Sequence, residues 1–194
     1  MDEMSIADES PNNPLKVLHS QLDENSFEKD EKKKIAFIGI SNWSLDASKM
    51  NRAINKVIED PDEDYLQKTA KGIIADINPY FENFEIIKPI CKAYLSHIKI
   101  KDNYNREDFY GFRDFYSLIK YISDNDNCLE SVVKGIYRNF GGFENSEKQF
   151  LDKFFKEYNQ DHLHINYNVM DRIKDNIESK IESRYLLLIT DNIE

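Results

Sequence analysis

The acid pair Asp2-Glu3, the asparagine Asn42 directly after an apolar run, and the arginines Arg52 and Arg113 are the residues of this chain whose types and spacing suit phosphate chemistry. When an Asp-Glu pair ends an apolar strand, as in a Walker B motif, the Asp arranges Mg2+ through water and the Glu polarises the water that attacks phosphorus. Here no apolar strand precedes the pair, so half of that motif is present. An Asn at a strand's carboxyl edge can hold the attacking water against a γ-phosphate, because its amide both donates and accepts; a plain strand-end cap is the competing reading. Arg52, ten residues further on, falls at a helix end, where it could reach a neighbour's nucleotide or be an ordinary surface arginine. Arg113 opens the patterned stretch "FRDFYSLIKYI". A cation there opposes the positive end of the helix dipole, a conflict that a bound phosphate resolves and that a salt bridge to Asp114 or another carboxylate resolves equally.

These residues need a scaffold to hold them. "IAFIGI", residues 35 to 40, is apolar at nearly every position, which is the pattern of a strand covered on both faces and so of an α/β architecture with parallel strands. Before it, Asn13 and Pro14 can open a short amphipathic helix carrying Leu15, Leu18 and Leu22, followed by the charged, irregular "SFEKDEKKK". After it the period changes to that of a helix. Asp46 can cap one with Ala47, Met50, Ile54 and Val57 inward, and Asp60-Pro61 can start another with Leu66, Ala70 and Ile73 inward. Helical patterning then continues to about residue 180, with a kink expected at Pro89 and a left-handed cap at Gly141-Gly142. "SRYLLLIT" reads as a lone strand. One strand early and one late do not make a sheet, so the missing strands are expected before Met1.

Composition narrows the function classes. The chain has 194 residues, of which 40% are hydrophobic, enough for a real core. Its net charge of −10 disfavours phosphate backbones and anionic lipid as partners, so no nucleic acid is expected. Cys91 and Cys128 are too few for a metal cluster and suit a reduced, cytoplasmic protein. The apolar run 185 to 189 is far shorter than a membrane span. His162 and His164 have no carboxylate or Cys at a spacing that completes a metal site, and His19 and His97 read as packing or surface residues. The aromatic series at 109, 110, 112, 115 and 116 reads as packed core.

Taken in order, "MDEMSIADESPNNPLKVLH", "FIGISNWSLDASKMNRAI", "KTAKGI", "FYGFRDFYSLIKYI", "RNFGG" and "SRYLLLIT" resemble one AAA+ module of the mysterin family, the dynein-like ring ATPases that also carry ubiquitin-ligase activity. The resemblance implies a fragment running from Walker B through the lid. Residues 1–58 would be the end of a P-loop-type α/β core with an incomplete parallel sheet, 59–182 a helical lid, and 183–194 the start of the next segment. It further implies ATP and Mg2+ as cofactors, with Asp2 holding Mg2+ through water and Glu3 as the catalytic residue that polarises the attacking water. Asn42 would be sensor 1, Arg113 sensor 2 and Arg52 an arginine finger. The remaining modules of the ring, or a complementary chain, would be partners.

Two departures limit this expectation. No G-x-x-x-x-G-K-[ST] occurs, so nothing in the chain cradles the β- and γ-phosphates, and hydrolysis by the chain alone is not expected. Two cysteines cannot build a RING-type array either. The alternative from another class is a non-catalytic, degenerate AAA+ interaction module.

Overall fold

The computed structural model describes residues 4–12, 14–34, 36–98, 110–125, 128–142 and 145–181. Its contacts divide the chain into two units, residues 1–59 and 60–194.

In the first unit three α-helices are described: α1 (Met4–Glu9), α2 (Lys16–Phe27) and the single turn α3 (Ala47–Met50), with a 3-10 turn at Glu31–Lys33. Little of this unit is buried. Met4, Leu15 and Lys49 are its buried side chains among the described residues, whereas Ile38, Ile40, Ile54, Val57 and Ile58 are exposed. The described residues are helix-rich, as expected for the lid, and the expected incomplete parallel sheet is not found among them. Residues 36–40 are irregular and enter no ladder. The physical reason is that a strand satisfies its amides and carbonyls only through neighbours, and an all-apolar strand needs cover on both faces. The Met4 amide donates a backbone hydrogen bond to the Ile40 carbonyl of this segment at 3.0 Å.

Two further expectations fail for similar reasons. α2 begins at Lys16 with no side-chain cap, so Pro14 precedes the helix instead of opening it, and Asn13 lies outside the described residues. Asp46 does cap α3, accepting from the amides of Ser48 at 2.8 Å and Lys49 at 3.2 Å. That helix nevertheless stops at Met50, and Ile54 and Val57 face outward in irregular chain. β-Branched residues with nothing to pack against do not sustain a helix of one turn.

The second unit is a helical bundle. Asp62 caps α4 (Glu63–Ile77) by accepting the Tyr65 amide at 2.8 Å, and Glu63 and Asp64 add negative charge at its positive end. Leu66, Ala70 and Ile74 form its buried stripe. A 3-10 turn at Phe84–Ile86 leads into α5 (Ile87–His97). Pro89 sits in the first turn of α5, where a missing N–H costs no hydrogen bond, so no kink arises there. Asp114 accepts the Gly111 amide at 2.9 Å and closes the start of α6 (Phe112–Asp124), whose Phe115, Leu118, Ile119 and Ile122 are buried. The series expected to pack does so: Tyr110, Phe112 and Tyr116 lie against the core, while Phe109 falls outside the described residues.

α7 (Leu129–Phe140) packs on α6, and α8 (Ser146–Tyr158) packs on α5 and α7. Gly135 allows the α6–α7 approach, since a Cβ there would lie 2.7 Å from Leu118 Cδ1. Gly141 ends α7 at φ −90°, not in the expected left-handed conformation; its lack of a side chain matters because a Cβ would lie 2.7 Å from the Tyr137 carbonyl oxygen. α8 is bracketed by Asn145 and Asn159 at φ 59° and 55°, a left-handed region that Asn tolerates. Each fully buried Leu, Ile or Phe of this core contributes about 1.5–3 kcal/mol. α9 (Val169–Glu178) buries none of its residues, yet it is fastened to the bundle by hydrogen bonds. Asp175 accepts from the hydroxyls of Tyr121 at 2.9 Å and Tyr167 at 2.8 Å, and Arg138 donates to Asn176 at 2.9 Å. The strand expected in residues 183–190 lies outside the described residues.

Candidate functional site

Asp2 and Glu3 lie outside the described residues, but the residue that follows them does not. Met4 is buried and begins α1, its amide donates to Ile40, and its thioether occupies the space above Gly39, where any Cβ would collide with Met4 Sδ. The chain leaving the acid pair is therefore seated on the segment that leads, two residues later, to Asn42. Gly39 is small because Met4 lies over it.

Asn42 is exposed and has no hydrogen-bond partner among the described residues. Next to it, the Ser41 hydroxyl donates to the Trp43 carbonyl at 2.7 Å and shapes the turn. Arg52 is engaged elsewhere in the same unit: its Nε donates to the Asp23 carboxylate at 3.0 and 3.3 Å, and one terminal nitrogen donates to the Ser48 carbonyl at 2.6 Å. Arg113, in the second unit, is exposed in the first turn of α6 without a hydrogen-bond or ion-pair partner among the described residues. Asp114, its neighbour, is turned to the Gly111 amide.

Spacing gave no sign of a charge cluster in the first unit. Lys49 is buried and lies between two carboxylates, with Asp8 Oδ1 at 2.5 Å and Asp46 Oδ2 in direct contact. The Asp46 amide also donates to Asp8 Oδ2 at 3.2 Å. The hydrogen bond from Lys49 and then that from Ser48 hold the Asp46 carboxyl well below the usual carboxylate range. Hydrogen bonds to Asp46 and then Asp8 raise the Lys49 ammonium above its ordinary value. Because Asp8 and Lys49 are far apart in sequence, no local pattern joins them.

No group of three or more metal-ligating side chains occurs among the described residues. His162 instead lies 3.6 Å from Asp152 and stacks on Phe155. A cleft of about 540 Å3 runs beside α9, lined by Glu130, Lys134, Tyr167, Asp175 and others, and contains none of the expected site residues. No helix among the described residues is long and apolar enough to cross a membrane.

Residues 1–65 match the family model described as the RNF213 AAA domain. The chain is 35% identical over 205 residues to the E3 ubiquitin-protein ligase rnf213-beta of Danio rerio, an alignment that covers 99% of this chain and 4% of that protein. It is 34% identical over 218 residues to the E3 ubiquitin-protein ligase RNF213 of Homo sapiens and 33% identical over 217 residues to that of Mus musculus, again with 99% and 4% coverage. No solved structure matches the chain. The part that holds Met4, Gly39 and Asn42 is thus of the AAA class. The chain as a whole belongs to the RNF213, or mysterin, family and spans about 4% of the length of the curated relatives it matches.

Proposed function

We propose that residues 1–58 supply the Walker B and sensor-1 half of an AAA+ nucleotide site, and that residues 59–182 form its helical lid with Arg113 as sensor 2. The remaining residues, 183–194, would lead into the next segment. The parent would be a cytoplasmic ring ATPase with ubiquitin-ligase activity, whose other modules, or a complementary chain, complete the site. The observation that carries this reading is the Met4–Ile40 backbone bond within the AAA-matched region, since it brings together the two segments on which an acid pair and a water-holding Asn must cooperate. The exposed side chains of Asn42 and Arg113, without partners among the described residues, support it, because they can meet phosphate oxygens. Arg52 would act as a finger only by leaving Asp23.

The chain's own residues do not amount to a full site for ATP and Mg2+. With no P-loop sequence in these 194 residues, the chain alone would not hydrolyse ATP. ATP would bring its own leaving group and Mg2+ the charge neutralisation, with Asp2, Glu3 and Asn42 arranging water.

The test is ATP hydrolysis by this chain and by a longer parent segment that includes a P-loop. The chain alone should be inactive. The longer segment should hydrolyse ATP and lose most of that activity on Glu3→Gln or Asn42→Ala. Undiminished hydrolysis in both variants refutes the assignment. A longer segment that binds no ATP leaves the second reading, a non-catalytic docking module, which the exposed Ile54, Val57 and Ile58 favour.

A further inference from the structure

We propose that Lys49 is a positioning residue: held between Asp8 and Asp46, it latches α1 to the turn that opens α3 and thereby sets the register of Met4 against Ile40. The functional consequence rests on the nucleotide-site reading above; the geometry does not.

α1 is only six residues long, too short to hold its place by propensity. Met4 supplies one end of its attachment, through the amide bond to Ile40 and the packing on Gly39. Asp8, one helical turn later on the same face, supplies the other. It receives both the Lys49 ammonium at 2.5 Å and the Asp46 amide at 3.2 Å. Asp46 is doubly committed, capping α3 and contacting Lys49. Two attachment points fix the direction of a short helix where one would let it swing. The segments fixed in this way lie one residue from Glu3 at one end, and on either side of Asn42 at Ile40 and Asp46 at the other. A buried lysine is costly unless its charge is countered, and here two carboxylates engage the ammonium.

The experiment is amide exchange, resolved by NMR, on the full 194-residue chain at neutral pH. Lys49→Met should raise the Met4 exchange rate about tenfold or more, and Lys49→Arg should restore protection to within about threefold, with exchange in α6 and α7 unchanged. Asp8→Asn, which keeps the shape and removes the charge, should act like Lys49→Met and serves if that variant unfolds. Unchanged Met4 exchange in Lys49→Met and Asp8→Asn overturns the latch. Equal acceleration in Lys49→Met and Lys49→Arg also overturns it, since packing alone would then explain the effect. Nucleotide plays no part in this readout, so a failure of the nucleotide-site reading is seen separately, as a longer wild-type segment without ATPase activity. Where that segment is active, Lys49→Met should lower kcat about tenfold while leaving KM for ATP within about twofold. An unchanged kcat alongside faster Met4 exchange overturns the positioning role.

Discussion

The amide of Met4 donates to the carbonyl of Ile40 at 3.0 Å, and the thioether of the same Met4 fills the space that Gly39 leaves open. Two segments separated by some 35 residues are thus joined by one hydrogen bond and one missing side chain.

Gly39→Ala should make the Met4 thioether shift and weaken the first unit by no more than about 1 kcal/mol, because the group displaced is the far end of a flexible side chain. Trp43, the single tryptophan of the chain, lies in this unit and reports its unfolding by fluorescence. The urea transition seen by Trp43 should move to lower concentration, while the far-ultraviolet dichroism of the helical bundle stays in place.

Glycines in two helices of the bundle should respond in opposite directions. Gly72 lies in α4 with nothing within 4 Å of a built Cβ, so Gly72→Ala should stabilise by about 0.5–1 kcal/mol through helix propensity. Gly135→Val places methyl groups between α6 and α7, where Leu118 Cδ1 and Tyr121 Cδ1 already stand 2.7 and 3.1 Å from a Cβ. It should destabilise by about 1–3 kcal/mol. Thermal unfolding of the two variants side by side checks both signs.

His97 should make the bundle acid-sensitive. Burial, and after it the charge of Lys153, lowers its imidazole from the ordinary value of 6.5 to about 4. Nε2 shares a hydrogen bond with the Ser146 hydroxyl at 3.1 Å, and Nδ1 has no partner among the described residues. The unfolded chain therefore takes up the proton first. Stability is full above about pH 6.5, falls by about 2–3 kcal/mol as pH drops towards 4, and is flat below that as far as this group is concerned. Urea midpoints measured from pH 7 to 4 should show that slope, and His97→Gln should flatten it.

Arg113→Ala and Asn42→Ala should leave stability within about 0.5 kcal/mol, because both side chains are exposed and unpaired among the described residues. Arg52→Ala should cost up to about 1 kcal/mol through loss of the Asp23 pair, which is part-exposed and screened. Denaturant titration of the three variants separates a free arginine from a tethered one.

Much of the bundle was legible because its signals are local. The spacing of Phe115, Leu118 and Ile122 marks one face of α6, and α4 starts just beyond the expected Asp60-Pro61, with Asp62 as its cap. Residues 36–40 misled for the opposite reason. An all-apolar run specifies a strand only if it joins a ladder covered on both faces, and residues 36–40 are irregular. Of the expected site residues, Asn42 and Arg113 could be singled out from their places next to an apolar run and at a helix start. Asp8 and Lys49 could not, since their contact is made by tertiary geometry across some 40 residues.

Cys91 lies fully buried in α5, and burial, followed by the charge of Glu63, pushes its thiol up to about 12, whereas Cys128 is exposed. A thiol kept both out of reach and protonated cannot be alkylated until the helices part. The chain thus holds its own clock for breathing of the bundle: one sulfur labels at once, and the second records how often α5 comes away from its neighbours.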